Sequence, residues 1–305
     1  MQLAAIQRFA RLGSKGLKVA LLLFLGFSSV LGAALNSYID LIARDSGTPP
    51  RDGVRVTYLG TNGYQLSSMG TLCWSIPIFS RVDLLSVALG SRLQPDMPRV
   101  AEGARHVAPK VDAVLITHGH FDHLLDVPVV MSKTHARLIA SASAVDLAKR
   151  AGASPGDAVT VGDVRRIGPW KIRVLPATHD RLFGKVPFNQ PETRVSGPPQ
   201  RAAEWVCGEP LAFLIEVGGQ RIYVDSGGTP EQLPPHERVD LAILGMALPD
   251  SRARLPGALE RLQPRYFLPS HQDNFFGRWM SDFNSDRLRI SRGCGAIANK
   301  RIIAA

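Results

Sequence analysis

The segment Thr117-His118-Gly119-His120-Phe121-Asp122-His123 constrains this chain more than any other stretch. It follows the apolar run Val111-Asp112-Ala113-Val114-Leu115-Ile116, which reads as a strand, so three imidazoles and a carboxylate crowd the turn at a strand end. Such a turn delivers several nitrogen and oxygen donors to one small volume, which suits a borderline-soft divalent ion such as zinc. An isolated histidine is ordinarily a polar surface group or a satisfied core group. Three at this spacing, with an aspartate beside the last, point instead to a metal. His106, His135 and His236 have no such context and default to solvent or ordinary hydrogen bonding.

The motif resembles the His-x-His-x-Asp-His signature of the metallo-β-lactamase fold superfamily. Three further runs stand downstream in the order that resemblance requires: Ile172 to His179, Arg221 to Gly228 with Asp225 at a strand end before a glycine turn, and Tyr266 to His271. The resemblance spans about Val54 to Phe276 and implies an αββα sandwich, two mixed β-sheets face to face with helices outside. It also implies roles. His118, His120 and His179 would hold one ion, Asp122, His123 and His271 a second, and Asp225 would bridge two divalent metals, zinc foremost. A water shared by two cations loses a proton near neutral pH and attacks a carbonyl or phosphoryl centre. Asp122 is the catalytic candidate that orients this nucleophile and handles its proton. Diiron relatives resemble a pattern with Glu where this chain has His120, so the all-imidazole version favours zinc and hydrolysis. The competing reading is a site that keeps metal without turnover.

One departure concerns the Asp-Pro that relatives often carry at the end of an early strand. Here Ile76 precedes Pro77, so the partners that orient the ligands differ, and such partners matter for affinity. Within the superfamily, Tyr58 to Gly63 and Pro269 to Phe276 look most like the branch of lactonase-like hydrolases and N-acyl phosphatidylethanolamine phospholipase D-type enzymes. That resemblance implies an ester or phosphodiester substrate, a small molecule or a lipid, with a lactonase or a membrane-tethered metal binder as the alternatives.

The N-terminus has a separate logic. Arg8, Arg11, Lys15 and Lys18 precede the uncharged run Val19 to Leu35, the layout of an export signal, cleaved or kept as an anchor. The run is short of the about 20 residues a spanning helix prefers. A buried core helix is the competing reading, and it leaves the positive flank without purpose. The expected organisation is therefore residues 1–35 as signal or membrane anchor, 36–53 as linker, 54–286 as the metallo-hydrolase domain and 287–305 as a tail that matches nothing interpretable. The expected location is outside the cytoplasm or on its membrane.

A formal charge of +10 raises nucleic acid as a partner. Basic residues are scattered, however, and stretches such as Arg165 to Arg173 and Arg252 to Arg265 read as surface strands, helices and turns with no Lys/Arg run. No nucleic-acid partner is expected; the charge suits anionic lipid headgroups equally well. Cys73, Cys207 and Cys294 are odd in number, and none sits in the ligand signature; a Cys207–Cys294 bridge is possible but spacing alone does not support it.

Among local elements, Arg55 to Gly60 and Gly63 to Leu66 read as a hairpin, and Arg137 to Ala140 as a strand leading to a helix from Ser143 to Arg150. Pro210 to Val217, Gly218-Gly219 and Gln220 to Val224 form a hairpin with a two-glycine turn, Leu241 to Leu244 a strand, and Pro256 to Leu262 a short helix. The segment Asp180 to Glu209, rich in proline, is too long for an ordinary connection and follows a ligand directly. Its Arg181, Lys185, Arg201 and Trp205, with Phe275 beyond His271, are the substrate-contact candidates; a plain solvated loop is the competing reading.

Overall fold

The computed structural model describes residues 53–68, 71–75, 79–106, 110–190, 197–226, 228, 238–246 and 251–271. The segment 1–35, nearly all of the linker, Ile76-Pro77, His236, Phe275 and the tail 287–305 lie outside the described residues. So does Cys294. No helix among the described residues is long and apolar enough to cross a membrane.

Two six-stranded sheets carry the architecture. The first holds β1 (Arg55–Gly60), β2 (Gly63–Ser68), β3 (Thr71–Ser75), β4 (Ala113–Leu115), β5 (Arg137–Ala140) and β6 (Gly156–Ala158), in that spatial order. The second runs β12 (Tyr266–Ser270), β11 (Leu241–Gly245), β10 (Gln220–Val224), β9 (Leu211–Val217), β8 (Trp170–Pro176) and β7 (Val164–Ile167). Both are mixed: β3 to β6 pair in parallel, as do β10 to β12, and the remaining pairs are antiparallel.

Side-chain alternation with period two explains the layering. Leu211, Phe213 and Ile215 of β9 share one core cluster with Ala113 and Leu115 of β4 and Tyr64 and Leu66 of β2, so these faces meet between the sheets. The alternate residues Ala212 and Leu214 of β9 pack instead against Leu255, Ala258 and Leu262 of helix α6 (Ser251–Leu262). On the other side, Val114, Leu138 and Ala140 face a cluster built by α2 (Met97–Gly103), α3 (Phe121–Leu124), α4 (Val127–Thr134) and α5 (Ala142–Arg150), which follow α1 (Leu84–Ala88). The expected αββα sandwich is the observed one. Central strands such as β9 and β11 read as continuous apolar runs because both of their faces are covered. Each fully buried Leu, Ile or Phe here contributes about 1.5–3 kcal/mol by leaving water.

The local elements follow expectation with two instructive shifts. Gly218 and Gly219 both take positive φ, as a two-residue hairpin turn with the right twist requires. Helix α5 begins one residue early, with Ser141 at its N-cap, although the Ser141 hydroxyl makes no capping bond and faces Ser143 instead. Helix α6 begins five residues before Pro256, which lies inside the helix and not at its first turn. Proline fits a first turn best, so the sequence favours a late start. The early start adds the turn that carries Arg254.

Strand direction gathers the site. β8 and β10 flank β9 antiparallel on both sides, and β10, β11 and β12 run parallel, so β8, β10 and β12 all end at one edge. In the first sheet β1 and β4 end together by the same logic. Bonds that join the two edges include Leu211 N to Thr117 O (2.7 Å), His271 N to Thr61 O (2.7 Å) and Tyr64 OH to Pro269 O (2.5 Å).

Candidate metal centre

Beyond β4 the chain leaves the sheet already anchored, because Ile116 N still donates to Ile139 O at 3.0 Å. Gly119 then passes beneath the backbone of Val206 and Cys207. Its N–H donates to Cys207 O at 2.9 Å, and a Cβ at this position would stand 2.2 Å from Val206 O. Only glycine permits that approach. His120 closes the turn as the N-cap of α3, whose first residues carry Asp122 and His123. At the end of β8, Thr178 N donates to Gly228 O at 3.0 Å, tying His179 to the turn that follows Asp225. His271 sits just past β12 with φ 59°. That left-handed conformation is uncommon for a residue with a side chain and clusters at functional sites.

The structure brings six of the seven expected ligands into two groups. His118, His120 and His179 form one, and Asp122, His123 and His271 the other, with donor atoms in each group within 4.8 Å of one another. The groups adjoin, the rings of His118 and His123 having centroids 3.9 Å apart. Asp225 joins neither. It is fully buried, accepts a bond from Gly245 N at 3.2 Å, and its Oδ2 lies 3.9 Å from Arg254 Nη1.

The donor set fits metal ions on several counts. Burial first, and neighbouring imidazoles second, hold His118 and His123 well below the ordinary histidine value and bring His120 and His271 to about 3. His179 is lowered chiefly by burial as well. The imidazoles are therefore neutral and present lone pairs. A carbonyl can only accept, so Pro187 O at 2.9 Å places the proton of His120 on Nε2, and Asp180 O at 2.7 Å places that of His179 on Nδ1. His120 Nδ1 is left facing His118 Nε2 at 3.0 Å. Two ligands on one tetrahedral ion, with bonds of about 2.0–2.1 Å, stand roughly 3.3–3.4 Å apart. Burial raises the Asp122 carboxyl to about 7. Its 3.4 Å approach to His123 Nε2 meets a neutral imidazole and is not an ion pair. Nearby cations would reverse that preference and return the carboxylate.

Sequence reasoning missed four supporting residues. Arg254 belongs to a stretch expected at the surface, yet its guanidinium is only 14% exposed and grips Asp180 through two bonds of 3.0 and 3.1 Å. It also donates to Gly245 O at 2.7 Å. Burial opposes the charge of Arg254, but Asp225 and Asp180 outweigh it and its pKa rises. Asp126, three residues past His123, is fully buried and accepts from Phe79 N, Ser80 N and Ser80 Oγ at 2.5–2.7 Å, fixing the segment before α1. Asn62 and Ser226 both reach His123 and His271.

The Asp180 to Glu209 segment is partly core. Ala202, Trp205 and Val206 pack into the cluster beneath the helices of the first sheet, so the Trp205 ring is buried where substrate contact was expected. Phe188 packs edge-on to His120, ring centroids 6.0 Å apart. Arg181, Lys185 and Arg201 are exposed. Phe183 and Gly184 form a two-residue turn with positive φ between Leu182 and Lys185, and Phe183 is 64% exposed. Cys207 is a free, buried thiol raised to about 12, by burial first and Asp122 second.

Two mixed sheets with outer helices, and paired His/Asp groups at their shared edge, define a metallo-β-lactamase-fold protein with candidate metal-binding groups. A family model described as the beta-lactamase superfamily domain matches residues 84–271, and the chain belongs to that family. A UPF0173 metal-dependent hydrolase of Pelotomaculum thermopropionicum is 28% identical over 174 residues, 54% of this chain and 69% of the relative. A UPF0173 metal-dependent hydrolase of Aeropyrum pernix is 28% identical over 229 residues, 72% of this chain and 83% of the relative. Among solved structures, Igni18, a metallo hydrolase from Ignicoccus hospitalis, is 20% identical, covering 73% of this chain and 84% of that one with a TM-score of 0.48.

Proposed function

We propose that this protein is a metal-dependent hydrolase that holds two divalent ions, zinc foremost, and cleaves an ester or phosphodiester bond. The observation that carries the reading is the pair of adjoining groups, three imidazoles beside an aspartate and two imidazoles, at one sandwich edge. Family membership and the metal-dependent hydrolase names of the relatives support it. When bound, such ions supply a water that ionises near neutral pH and a charge that stabilises the developing oxyanion. The chain's own part is positional. Pro187 O and Asp180 O fix which nitrogen His120 and His179 present, and Asp122 is the carboxyl able to take a proton beside them. Asp225 is the carboxylate that the family resemblance assigns to both ions.

The finer substrate reading is a phosphodiester, of a lipid or a small molecule. A phosphoryl transition state gathers more negative charge than an acyl one, so exposed Arg181, Lys185 and Arg201 favour it. The basic flank before Val19 to Leu35 supports an exported or membrane-held protein acting on such substrates. The test is elemental analysis of purified protein alongside turnover of matched phosphodiesters, lactones and β-lactams. Two ions per chain with phosphodiesters fastest is the expected result. Lactones opened readily with phosphodiesters untouched would make it a lactonase, and no transition metal after reconstitution would remove the mechanism. A reporter active only in the cytoplasm, fused after Ala305, should be silent; full activity there overturns export.

A further inference from the structure

Residues 181–186 run between two points fixed to the same metal group. At one root Arg254 grips the Asp180 carboxylate, and Asp180 O accepts from His179 Nδ1 at 2.7 Å. At the other, Pro187 O accepts from His120 Nε2 at 2.9 Å, and Cys207 N donates to Phe188 O at 3.0 Å. Between the roots, Leu182 N donates to Lys185 O at 2.9 Å and Lys185 N to Leu182 O at 3.2 Å, closing the turn of Phe183 and Gly184. These bonds make a short finger with a fixed base.

The tip residue does not suit its backbone. Phe183 has φ 52° and Gly184 φ 76°. Two-residue turns of this kind favour Asn or Gly, and a bulky side chain at positive φ is a genuine outlier. Yet Phe183 is 64% exposed, more than any other large apolar side chain among the described residues. One exposed apolar residue is ordinary. One held exposed on a strained turn is not, because a small polar residue would make the same turn without strain. Arg181 and Lys185, two residues to either side, are exposed as well, and residues 181–190 include no acidic side chain. An aromatic ring between two cations suits a membrane–water interface, where the ring settles at headgroup depth and the cations meet anionic lipid.

We propose that the Phe183 turn docks the protein on an anionic lipid bilayer, with the ring among the headgroups and Arg181 and Lys185 against their phosphates. Four residues of chain reach at most about 14 Å, so a bilayer touched by Phe183 comes that close to the backbone of His179. Headgroups are then brought within a short span of a candidate ion site, which favours the lipid arm of the substrate reading. Docking itself needs neither metal nor turnover, so it can fail while the hydrolase reading stands.

The experiment mixes full-length Phe183→Trp protein with vesicles of phosphatidylcholine, alone or with phosphatidylglycerol, whose upper acyl chains carry bromine, and reads quenching of tryptophan. The wild-type chain, with its own four tryptophans, gives the background. A readout at the turn is separate from any attachment through residues 19–35. Quenching above the wild type, stronger with phosphatidylglycerol, is the expected result, and adding Lys185→Glu should remove most of that excess. Phe183→Asn should leave the melting temperature unchanged or raise it, because Asn tolerates the left-handed backbone. No excess over the wild type overturns the proposal, as does an excess equal on both vesicles and indifferent to Lys185→Glu. A lower melting temperature in Phe183→Asn would make the ring a packing residue and overturn it as well.

Discussion

The two ligand groups sit side by side but are held by different means. In the all-histidine group, His120 and His179 each have one nitrogen committed to a backbone carbonyl, and His118 Nδ1 faces Thr117 Oγ1 at 3.1 Å. The proton positions are set by the fold. In the mixed group, His123 and His271 are met by the side chains of Asn62 and Ser226, and His271 rests on a left-handed backbone. Backbone carbonyls cannot rearrange without moving the chain, whereas a side chain changes rotamer on its own. The first group is therefore set by the backbone, and the second by buried side chains.

The largest test of this contrast removes one ligand from each side. His118→Ala and His271→Ala should each empty mainly one site, seen by elemental analysis. Each should lower turnover by at least about 10,000-fold, since metal charge supplies several kcal/mol to the transition state. If either substitution empties both sites, the groups are not separable and the contrast fails.

Next in size is the support behind the first group. Arg254→Ala leaves Asp180 buried without its partner, and breaking a buried pair on one side costs about 3–5 kcal/mol. Chemical denaturation of the metal-free protein should report that loss. A change under about 1 kcal/mol would mean that water already relieves the pair.

Acid should separate the groups further. The five histidines have folded values below their ordinary one, so their contribution is present above about pH 6.5 and is lost as pH falls toward about 3. Asp122 has the opposite sign: with its folded value raised to about 7, it favours the fold increasingly as pH falls through that range. Five outweigh one, so the melting temperature of metal-free protein should drop between about pH 6.5 and 4. Asp122→Asn removes the offset and should steepen the drop. An unchanged slope would show that the mixed group is wetter than its burial implies.

The smallest effect belongs outside both groups. Lys185→Ala should leave metal content intact and stability within about 0.5 kcal/mol, as for exposed positions generally. A slower phosphodiester reaction in that variant would place the exposed loop in substrate contact.

How much of this could be read from the sequence depends on how local each feature is. The turn from His118 to His123 is legible because spacing alone puts its donors together. His179 and His271 were legible as strand ends, each a short apolar run finishing in a histidine. Asn62 was not, because Asn is common in turns, and only the approach of His123 and His271, far along the chain, gives it chemistry. Arg254 was hidden twice, by a proline that suggested a later helix start and by the habit of arginine at surfaces. Trp205 was misplaced because prolines and charges around it masked a buried stretch no longer than Trp205 to Cys207.

The bond from His271 N to Thr61 O has a consequence for synthesis. On the ribosome, the all-histidine group has all three of its ligands once the chain has emerged past His179, but the mixed group must wait for His271. At about 5–20 residues per second that delay is on the order of 5–20 s. Within it a nascent chain holds the full ligand set of one group beside an unfinished one. A pause in translation between those two histidines would lengthen the interval in which a single, wrong metal could settle first.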